Sequence, residues 1–554
     1  MLRAVALLGI LFVNLPSFAF PIADAFGPPW PDAGRGEVAA WWFVQAFCQL
    51  KFVSLYSLLF GAGMVVLVDR ARDSGRGWSR PLRRLAVLLC FGVLHAVFLW
   101  HGDILVCYAM MATLLLVAIR LPGAWLAGLG VATLLIGAAA RSSWLALHAG
   151  TFDAAISSRS EPRPPGDARS SMSDSTSNSG PSSIARSASS STSRSTASPT
   201  AGATTSAATG AAPSAAPVAA QRAAHVAARI AIVSTAGLLA LEFPLSPRPE
   251  SASELPLSWD DWIASEGRRS AEELDRWSAA HADLGPIARV LALGRESDWN
   301  PADPLAIAFE TQVLRDGPYL DACAFRTVVA AALEVDGFAE WNWHVLALFF
   351  LGAGAMRLGF FGPGGRRWRS AMLLLLPIGL VGENWWAWIN LRAMAEWDPR
   401  LVSWEPWRPF AAVAMMFGYV GAISWALERC MPRVVVASLS AVGRMGLTGY
   451  IGESVLAAFV MYSWGLGSYG TWSRVGLIPL ALVIYAVIAA FALTWSRRFP
   501  AGPLEWLWRR AVDPGWRPPA AAPPLPAPSA AVPGAPPRSR YPPRLRPSEL
   551  GRRT

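Results

Sequence analysis

The chain has 554 residues, of which 53% are hydrophobic and 16% charged, and its formal net charge is +10. This composition is too apolar for an ordinary soluble domain, and it predicts an all-α polytopic membrane protein. The basic residues are mostly arginines in short clusters between apolar runs, which follows the positive-inside rule and argues against nucleic-acid binding. The five cysteines form no C-x-x-C pair, so neither a disulfide framework nor a metal site is indicated.

Ten apolar segments have roughly the 20 residues that a membrane-spanning helix needs. They lie at 2–20, 44–68, 83–100, 103–119, 122–146, 342–360, 370–390, 409–427, 438–464 and 475–495. If these helices alternate in direction, the arginine clusters at 70–84 and 366–369 fall on the same side of the membrane. That side is the cytoplasm by the positive-inside rule, so both termini are predicted to be cytoplasmic.

Two segments have a second interpretation. The first, 2–20, could be a cleaved signal peptide, but its long apolar run favours a retained helix. The run 226–243 is apolar enough for an eleventh span. Counting it would place the arginines at 366–369 outside, so we predict a peripheral or packed helix there.

Composition divides the chain into five parts. Residues 1–150 carry the first five predicted spans, and 341–512 carry the other five. Between them, the Ser/Ala-rich segment 151–225 is predicted to be a disordered extracytoplasmic insertion, because it cannot bury enough apolar surface to offset ordering. Residues 226–340 are predicted to form an outer helical region. The Pro-rich tail 513–554 is predicted to be cytoplasmic and disordered.

One stretch, "FGVLHAVFLWHGDIL" at 91–105, places a histidine inside an apolar run. His95 lies eleven residues beyond Arg84, roughly 16 Å along a helix, and therefore near mid-membrane. An imidazole there can accept and release a proton near neutral pH. Asp103 could cap the next helix or orient a polar partner. The alternative is that His95 only donates a hydrogen bond to a backbone carbonyl and Asp103 is only a cap.

Further polar side chains fall in other predicted helices. They are Asn14, Gln49, Lys51, His344, Glu383, Asn384, Arg444 and Glu453. Because they come from different helices, they could line one polar cavity. Lys51 lies near an interface and could instead snorkel to it, and Glu383 could be the structural partner of an arginine such as Arg444.

The segment 438–464 has glycines at strict three-residue spacing, at Gly443, Gly446, Gly449 and Gly452. This strip favours close packing of one helix against a neighbour over a broken helix that lines a site. The chain contains no G-x-S-x-G, H-E-x-x-H or P-loop motif, so hydrolase, zinc-protease and nucleotide-hydrolase functions are weakly supported.

Five motifs in order resemble the YeiB-like family of bacterial inner-membrane proteins, which is named only as a domain of unknown function. They are "RAVALLGILFVN", "KFVSLYSLLFGAG", "RRLAVLLCFGVLHAVFLWHGDIL", "GRMGLTGYIGESV" and "GPLEWLWR". The resemblance covers 1 to about 150 and 300–512. The chain departs from the family pattern at Gly449, where Asn is usual, and at Glu453, where Gln is common.

The family is distantly similar to membrane acyltransferases of the heparan-alpha-glucosaminide N-acetyltransferase type. This similarity implies transfer of an acyl group from cytoplasmic acyl-CoA to a glycan or lipid-linked acceptor across the bilayer. His95 would be the general base and Asp103 would help to form the outer acceptor mouth. Arg3 or Arg444 would bind the phosphates of the carrier.

The remaining predicted substrate-binding residues are Asn14, Glu383 and Glu453. Two other functions stay open at this point. In a proton-coupled transporter, His95, Glu383 and Glu453 would relay protons or bind solute. In a non-catalytic membrane scaffold, the two disordered segments would bind partners.

Overall fold

The computed structural model describes residues 1–29, 33–75, 77–160, 271–297, 299, 303–339, 341–396, 406–513 and 515. Most of the segment 151–225, the run 226–243 and nearly all of the tail 513–554 lie outside these residues, so the predictions made for them stay predictions.

The described chain is helical and contains no strand. In chain order the helices are α1 (Leu2–Ala19), α2 (Ile22–Ala25), α3 (Arg35–Trp42), α4 (Lys51–Asp73), α5 (Ser79–Phe98), α6 (Leu105–Ala118), α7 (Gly123–Ser160), α8 (271–280), α9 (Pro286–Glu296), α10 (Pro304–Arg315), α11 (Tyr319–Ala339), α12 (Asn342–Arg357), α13 (Arg366–Ala371), α14 (Leu376–Glu396), α15 (Arg408–Arg429), α16 (Arg433–Arg444), α17 (Gly446–Met461), α18 (Arg474–Ser496) and α19 (Pro503–Val512). The prediction of an all-α polytopic membrane protein is confirmed.

Seven helical segments of the described chain are long and apolar enough to cross a bilayer, and the bent pair α16 and α17 would make an eighth. All ten predicted segments fall on helices. However, α6 has 14 residues and α12 has 16, fewer than a full crossing needs. Length and composition therefore give seven or eight spans instead of ten, and the cytoplasmic position of the termini stays a prediction.

Helix α12 packs against α4 and α7 with very close backbone contact. A Cβ atom added to Gly352 would collide with the backbone of Leu58, and one added to Gly61 would collide with the backbone of Phe349. Small residues of this kind let helices approach in lipid, where dispersion contacts drive association. The side chains of Leu348 and Phe349 are fully buried, so α12 is a core helix of the bundle.

Helices α8 to α11 pack on the end of the bundle where α1 ends. Val290 of α9 and Phe309 of α10 join a buried cluster with Phe18 of α1 and Tyr462 at the end of α17. These helices therefore cover one mouth of the bundle with apolar contacts.

Glu310 of α10 connects this outer layer to the bundle through hydrogen bonds. Its carboxylate accepts from the backbone N–H of Ile22, at 3.2 and 3.3 Å, and from the Tyr469 hydroxyl at 2.7 Å. Burial raises the pKa of Glu310 to about 7, and the two hydrogen bonds oppose this rise in part. A large fraction of this carboxyl is therefore protonated in the folded protein near neutral pH.

The chain breaks at Met445, where α16 and α17 meet at an angle of 89°. The prediction of one continuous glycine strip along 438–464 is therefore wrong, because the segment forms a broken helix. Close packing survives within α17, since added Cβ atoms at Gly449 and Gly452 would contact Leu7 and Ile488.

A carboxylate from the last helix closes this break. Oε1 of Glu505 accepts from the backbone N–H groups of Leu447 (2.7 Å) and Thr448 (3.1 Å), and Oε2 accepts from the Thr448 hydroxyl at 2.5 Å. In return, Oγ1 of Thr448 accepts from the backbone N–H of Leu504 at 3.1 Å. Each helix thus satisfies N–H groups at the start of the other, and these groups have no partner within their own helix. The motifs "GRMGLTGY" and "GPLEWLWR" are joined by this contact.

Replacing Glu505 with alanine should destabilise the protein. The substitution leaves the buried N–H groups of Leu447 and Thr448 without acceptors, which we expect to cost about 2–4 kcal/mol. Thermal unfolding of detergent-purified protein measures the effect. The control is Glu428→Ala, which removes an exposed ion pair with Arg366 and should cost at most about 1 kcal/mol. Equal losses in the two variants would contradict the capping role.

The raised pKa of Glu310 predicts a pH-dependent difference between wild type and Glu310→Gln. Since its folded-state pKa of about 7 lies above the ordinary value of 4.5, the stability that protonation gives is present below pH 4.5 and is lost as the pH rises to about 7. The substituted amide would keep an acceptor for the Tyr469 hydroxyl without the charge. We expect the variant to be more stable than wild type at pH 8, by on the order of 1–3 kcal/mol, with the difference shrinking towards pH 4.5. A difference in melting temperature that does not change with pH would contradict this account.

Candidate functional site

Two cavities enter the bundle from opposite ends of α1, α4 and α5. The outer cavity, of about 240 Å³, lies where α1 ends and α4 begins. The polar side chains along its walls include Asn14, His101, Asp103, Glu334, His344 and Arg408. Polar groups from many separate parts of the chain therefore line this cavity. The sequence had suggested a shared polar cavity for two of them, Asn14 and His344.

The basic cavity, of about 410 Å³, lies at the other end of the bundle. Its walls carry five arginines, Arg3, Arg70, Arg80, Arg84 and Arg509. Only one carboxylate, Asp513, is among its lining residues. The guanidinium of Arg84 lies 4.1 Å from the ring centroid of Trp508, which also lines this cavity.

A third space, which we call the connecting cavity, has about 150 Å³ and adjoins the basic cavity at Arg3 and Arg84. It extends along α1 to Tyr450 of α17. Ile10 and Ile104 line both the connecting cavity and the outer cavity. The spaces from the two ends of the bundle therefore approach each other at these two isoleucines.

His95 and Asp103 form a buried pair next to this junction. Nδ1 of His95 lies 2.8 Å from Oδ1 of Asp103, while Oδ2 of Asp103 accepts from the backbone N–H of Val106 at 2.8 Å. Asp103 therefore caps the start of α6 and also orients a polar partner. Gly92 makes the approach possible, because a Cβ atom there would collide with Val106 and Asp103.

Neither ring nitrogen of His95 makes a hydrogen bond of good geometry to a described residue, although Nδ1 lies within ion-pair distance of Asp103. With its proton on Nδ1, towards the carboxylate, the neutral imidazole would have its acceptor at Nε2. The ring centroid of Tyr450 lies 5.1 Å from that of His95. His95 thus stands between Tyr450 of the connecting cavity and Asp103 of the outer cavity.

A second buried group of ionisable side chains lies beside the outer cavity. Nζ of Lys51 is 2.5 Å from Oε2 of Glu383 and donates to the backbone oxygen of Gln45 at 2.9 Å. Nε of Arg408 is 3.4 Å from the same Glu383 oxygen, and its terminal nitrogen donates to Oε1 of Gln45 at 3.2 Å. We call these three ionisable residues the Lys51 cluster. Lys51 is buried and does not snorkel, so that alternative was wrong. Glu383 does pair with an arginine, as expected, but the arginine is Arg408 and not Arg444.

The backbone before Lys51 is unusual in two ways. The chain forms a π-helical turn over Phe43–Cys48, and Leu50 has a φ of 67°. Left-handed backbone at a non-glycine residue stores strain, and π-helical turns are frequent at functional sites. Gln49 and Leu50 line the outer cavity, so this irregular backbone forms part of its wall.

The other predicted site residues are divided among these features. Asn14 lines the outer cavity, and Arg3 and Arg444 line the connecting cavity. Glu453 is buried in α17 and is not among the residues that line the three cavities. Its Oε1 has no hydrogen-bond partner among the described residues.

Glu334 of α11 adds an acidic side chain to the outer cavity. Burial raises its pKa to about 7, and the negative charge of Asp103 contributes to the rise. No group of three His, Cys, Asp or Glu side chains that could hold a metal ion occurs in the described part of the chain.

The apolar helices, with polar cavities inside their bundle, define a multi-pass α-helical membrane protein. Residues 355–514 match the family profile described as "Protein of unknown function (DUF418)". Over 527 residues the chain is 24% identical to "Uncharacterized protein YxaH" of Bacillus subtilis, a match that covers 93% of this chain and 94% of that protein. Over 110 residues it is 39% identical to "Uncharacterized protein YeiB" of Escherichia coli, a match that covers 20% of this chain and 27% of that protein. No solved structure matches.

These matches confirm the resemblance to the YeiB-like family. The chain is similar to these YeiB-like proteins over the matched stretches, and residues 355–514 match the DUF418 profile. The matched residues include α13 to α19, and so contribute Arg444, Trp508 and Arg509 to the basic and connecting cavities. His95 and Asp103 lie outside it.

The capping role of Asp103 can be measured separately from any activity. Asp103→Ala removes the acceptor for the Val106 N–H group and should lower the free energy of unfolding by about 1–2 kcal/mol, whereas Asp103→Asn keeps an acceptor oxygen and should cost less. The matched control is Asp303→Ala, since Asp303 caps α10 through Leu305 and Ala306. Thermal unfolding in detergent measures all three variants. A loss at Asp303 with none at Asp103→Ala would contradict the cap.

Proposed function

We propose that this protein, in the bacterial inner membrane, transfers an acyl group from acyl-CoA in the basic and connecting cavities to a glycan or lipid-linked acceptor in the outer cavity. The observation that carries the proposal is the buried His95–Asp103 pair beside the junction of the cavities: Asp103 lines the outer cavity and Tyr450, next to the His95 ring, lines the connecting cavity. Nδ1 of His95 faces the carboxylate, and Nε2 has no hydrogen-bond partner among the described residues. A general base needs a nitrogen that is free to accept a proton, with a carboxylate to orient its ring.

The reaction that fits this geometry is an acyl transfer with His95 as the base. Nε2 of His95 takes the proton of the acceptor hydroxyl or amine as the acceptor oxygen or nitrogen attacks the thioester carbonyl carbon. The carbon–sulfur bond then breaks, and the leaving thiolate takes the proton from His95. Asp103 keeps the ring in the required tautomer and stabilises the imidazolium, as the aspartate does in other base–carboxylate pairs.

The donor side is supported by the charge of the basic cavity. Guanidinium groups bind phosphate through paired hydrogen bonds, and five of them surround this cavity with one carboxylate among the lining residues. The ring of Trp508 offers an aromatic surface beside Arg84 for a base. Arg444 and Arg3 stand where the connecting cavity starts, so the thioester end of a carrier would extend from them towards Tyr450.

Transport of a small solute is the second candidate function. The observation that favours it is that Ile10 and Ile104 alone are shared by the linings of the outer and connecting cavities. A movement of two apolar side chains would then join the two spaces. The paired His95 and the five arginines favour acyl transfer, because a permease requires neither a general base nor a phosphate site of this size.

Substitution of His95 tests the proposed chemistry. In membranes supplied with radiolabelled acetyl-CoA, His95→Ala should reduce label transfer to extractable glycan or lipid at least about 100-fold, with unchanged protein abundance. Asp103→Asn should also lose activity, because it keeps the cap of α6 and removes the negative charge beside Nδ1. The matched control is His281→Gln, which alters a histidine–carboxylate pair with Glu296 outside the bundle and should retain activity. Full activity of His95→Ala would remove the base role, and solute flux without label transfer would favour transport.

Donor binding can be tested without knowing the acceptor. Acetyl-CoA should raise the melting temperature of the purified protein in a saturable way, less at high salt. Arg444→Ala should weaken this binding roughly 10-fold, the loss expected for one charge-assisted contact. Arg433→Ala, at the other end of α16, should leave it unchanged. Absence of stabilisation in folded wild-type protein would contradict a donor site here.

A further inference from the structure

The Lys51 cluster contains two cations and one carboxylate. The side chains of Lys51, Glu383 and Arg408 are each at most 1% exposed. Among the described residues, the other hydrogen-bond acceptors of Lys51 and Arg408 belong to Gln45, a neutral residue. Counted over the described residues, the cluster thus has a formal excess of one positive charge inside the bundle. Isolated buried charges are costly, and an anion that pairs with the excess charge lowers that cost.

Arg408 is the member of the cluster that borders a cavity. It lines the outer cavity, whereas Lys51 and Glu383 lie behind it and are not among the lining residues. Its guanidinium lies 3.3 Å from the ring centroid of Trp386, whose side chain is fully buried. The guanidinium is therefore held in place before any ligand binds, which reduces the entropy that binding must overcome.

His344 adds a second nitrogen on the same cavity wall. Its Nε2 is 2.7 Å from the Ser54 hydroxyl, which fixes the ring. Its Nδ1 is buried and has no hydrogen-bond partner among the described residues. His344 and Arg408 both line the outer cavity, so one oxygen-rich group could contact them together.

The other part of the outer cavity is acidic. Asp103 lies against His95, and the charge of Asp103 acts on Glu334, so this region is unfavourable for a second anion and favourable for a hydroxyl or amine. The lining of the cavity therefore divides into nitrogen donors, Arg408 and His344, and carboxyl groups, Asp103 and Glu334.

From this division we propose that the outer cavity binds a phosphate-bearing ligand, with its phosphate against Arg408 and His344 and its hydroxyl or amine end at Asp103. A phosphodiester carries one negative charge and matches the excess charge of the cluster, and guanidinium groups bind phosphate in a planar, paired geometry. Calling this ligand the acyl acceptor rests on the proposed function. The phosphate site itself does not.

The test is thermal unfolding of the full-length protein in detergent, titrated with glycerol phosphate and with dihexanoyl phosphatidylglycerol at constant ionic strength. At least one probe should stabilise wild type in a saturable way. Stabilisation by both would indicate recognition of the phosphate alone, and stabilisation by the lipid only would indicate a headgroup as its source. Equal stabilisation by acetate would show that the site takes any small anion, and that result would overturn the assignment of phosphate.

Variants show where the probe binds, and a second variant keeps the test decisive if the first does not fold. Arg408→Gln should raise the apparent Kd of the stabilising probe at least ten-fold. Because loss of Arg408 could also prevent folding, His344→Gln is the second variant, with an expected several-fold increase. The basic cavity would also take phosphate, so Arg80→Ala, in the lining of that cavity, is the control and should leave probe binding in the outer cavity unchanged. Loss in Arg80→Ala with retention in the other two variants would overturn the proposal.

The outcomes for the phosphate site and for acyl transfer can be told apart. Probe binding that depends on Arg408, in a protein that does not transfer label from acetyl-CoA, would support the site and remove the acyltransferase function. Label transfer that persists in Arg408→Gln and His344→Gln, with no probe binding, would support the enzyme and overturn the phosphate site.

Discussion

Backbone groups freed by a helix break inside a bilayer must find partners within the protein, because no water is available there. In this fold, carboxylates supply those partners at breaks that border the cavities. Asp103 caps α6 and holds His95, and Glu505 closes the turn between α16 and α17. Glu37 likewise accepts from the backbone of Arg474 at the start of α18. The positions of the proposed base and of the connecting cavity depend on these few contacts.

The sequence singled out His95 and Asp103 separately, without predicting that they pair. Both residues lie in one short stretch, and the end of α5 brings their side chains together. The Lys51 cluster had no comparable local signal. Its members come from α14, α15 and the start of α4, and only packing decides that Arg408, the first residue of its helix, turns inward. The break at Met445 likewise has no local signal in the sequence, because the carboxylate that stabilises it lies in the distant helix α19.

Hydropathy predicted ten similar spans, since apolar runs of similar length look alike whether they face lipid or other helices. The structure separates them. Helices α6 and α12 are short, and α12 has backbone contact with α4 through Gly61 and Gly352. A glycine in an apolar run is expected to weaken a helix. Here Gly61 and Gly352 let the backbones of α4 and α12 approach closely in the core of the bundle.

The enclosure of α12 also bears on how the chain is made. With 16 residues it reaches roughly 24 Å, short of the bilayer's hydrocarbon thickness, and its start carries Asn342 and His344. Its partners α4 and α7 are translated long before it, with a large segment between. During synthesis the contacts of α12 with α4 and α7 can therefore form only after the long segment that separates α7 from α12 in the chain has been made.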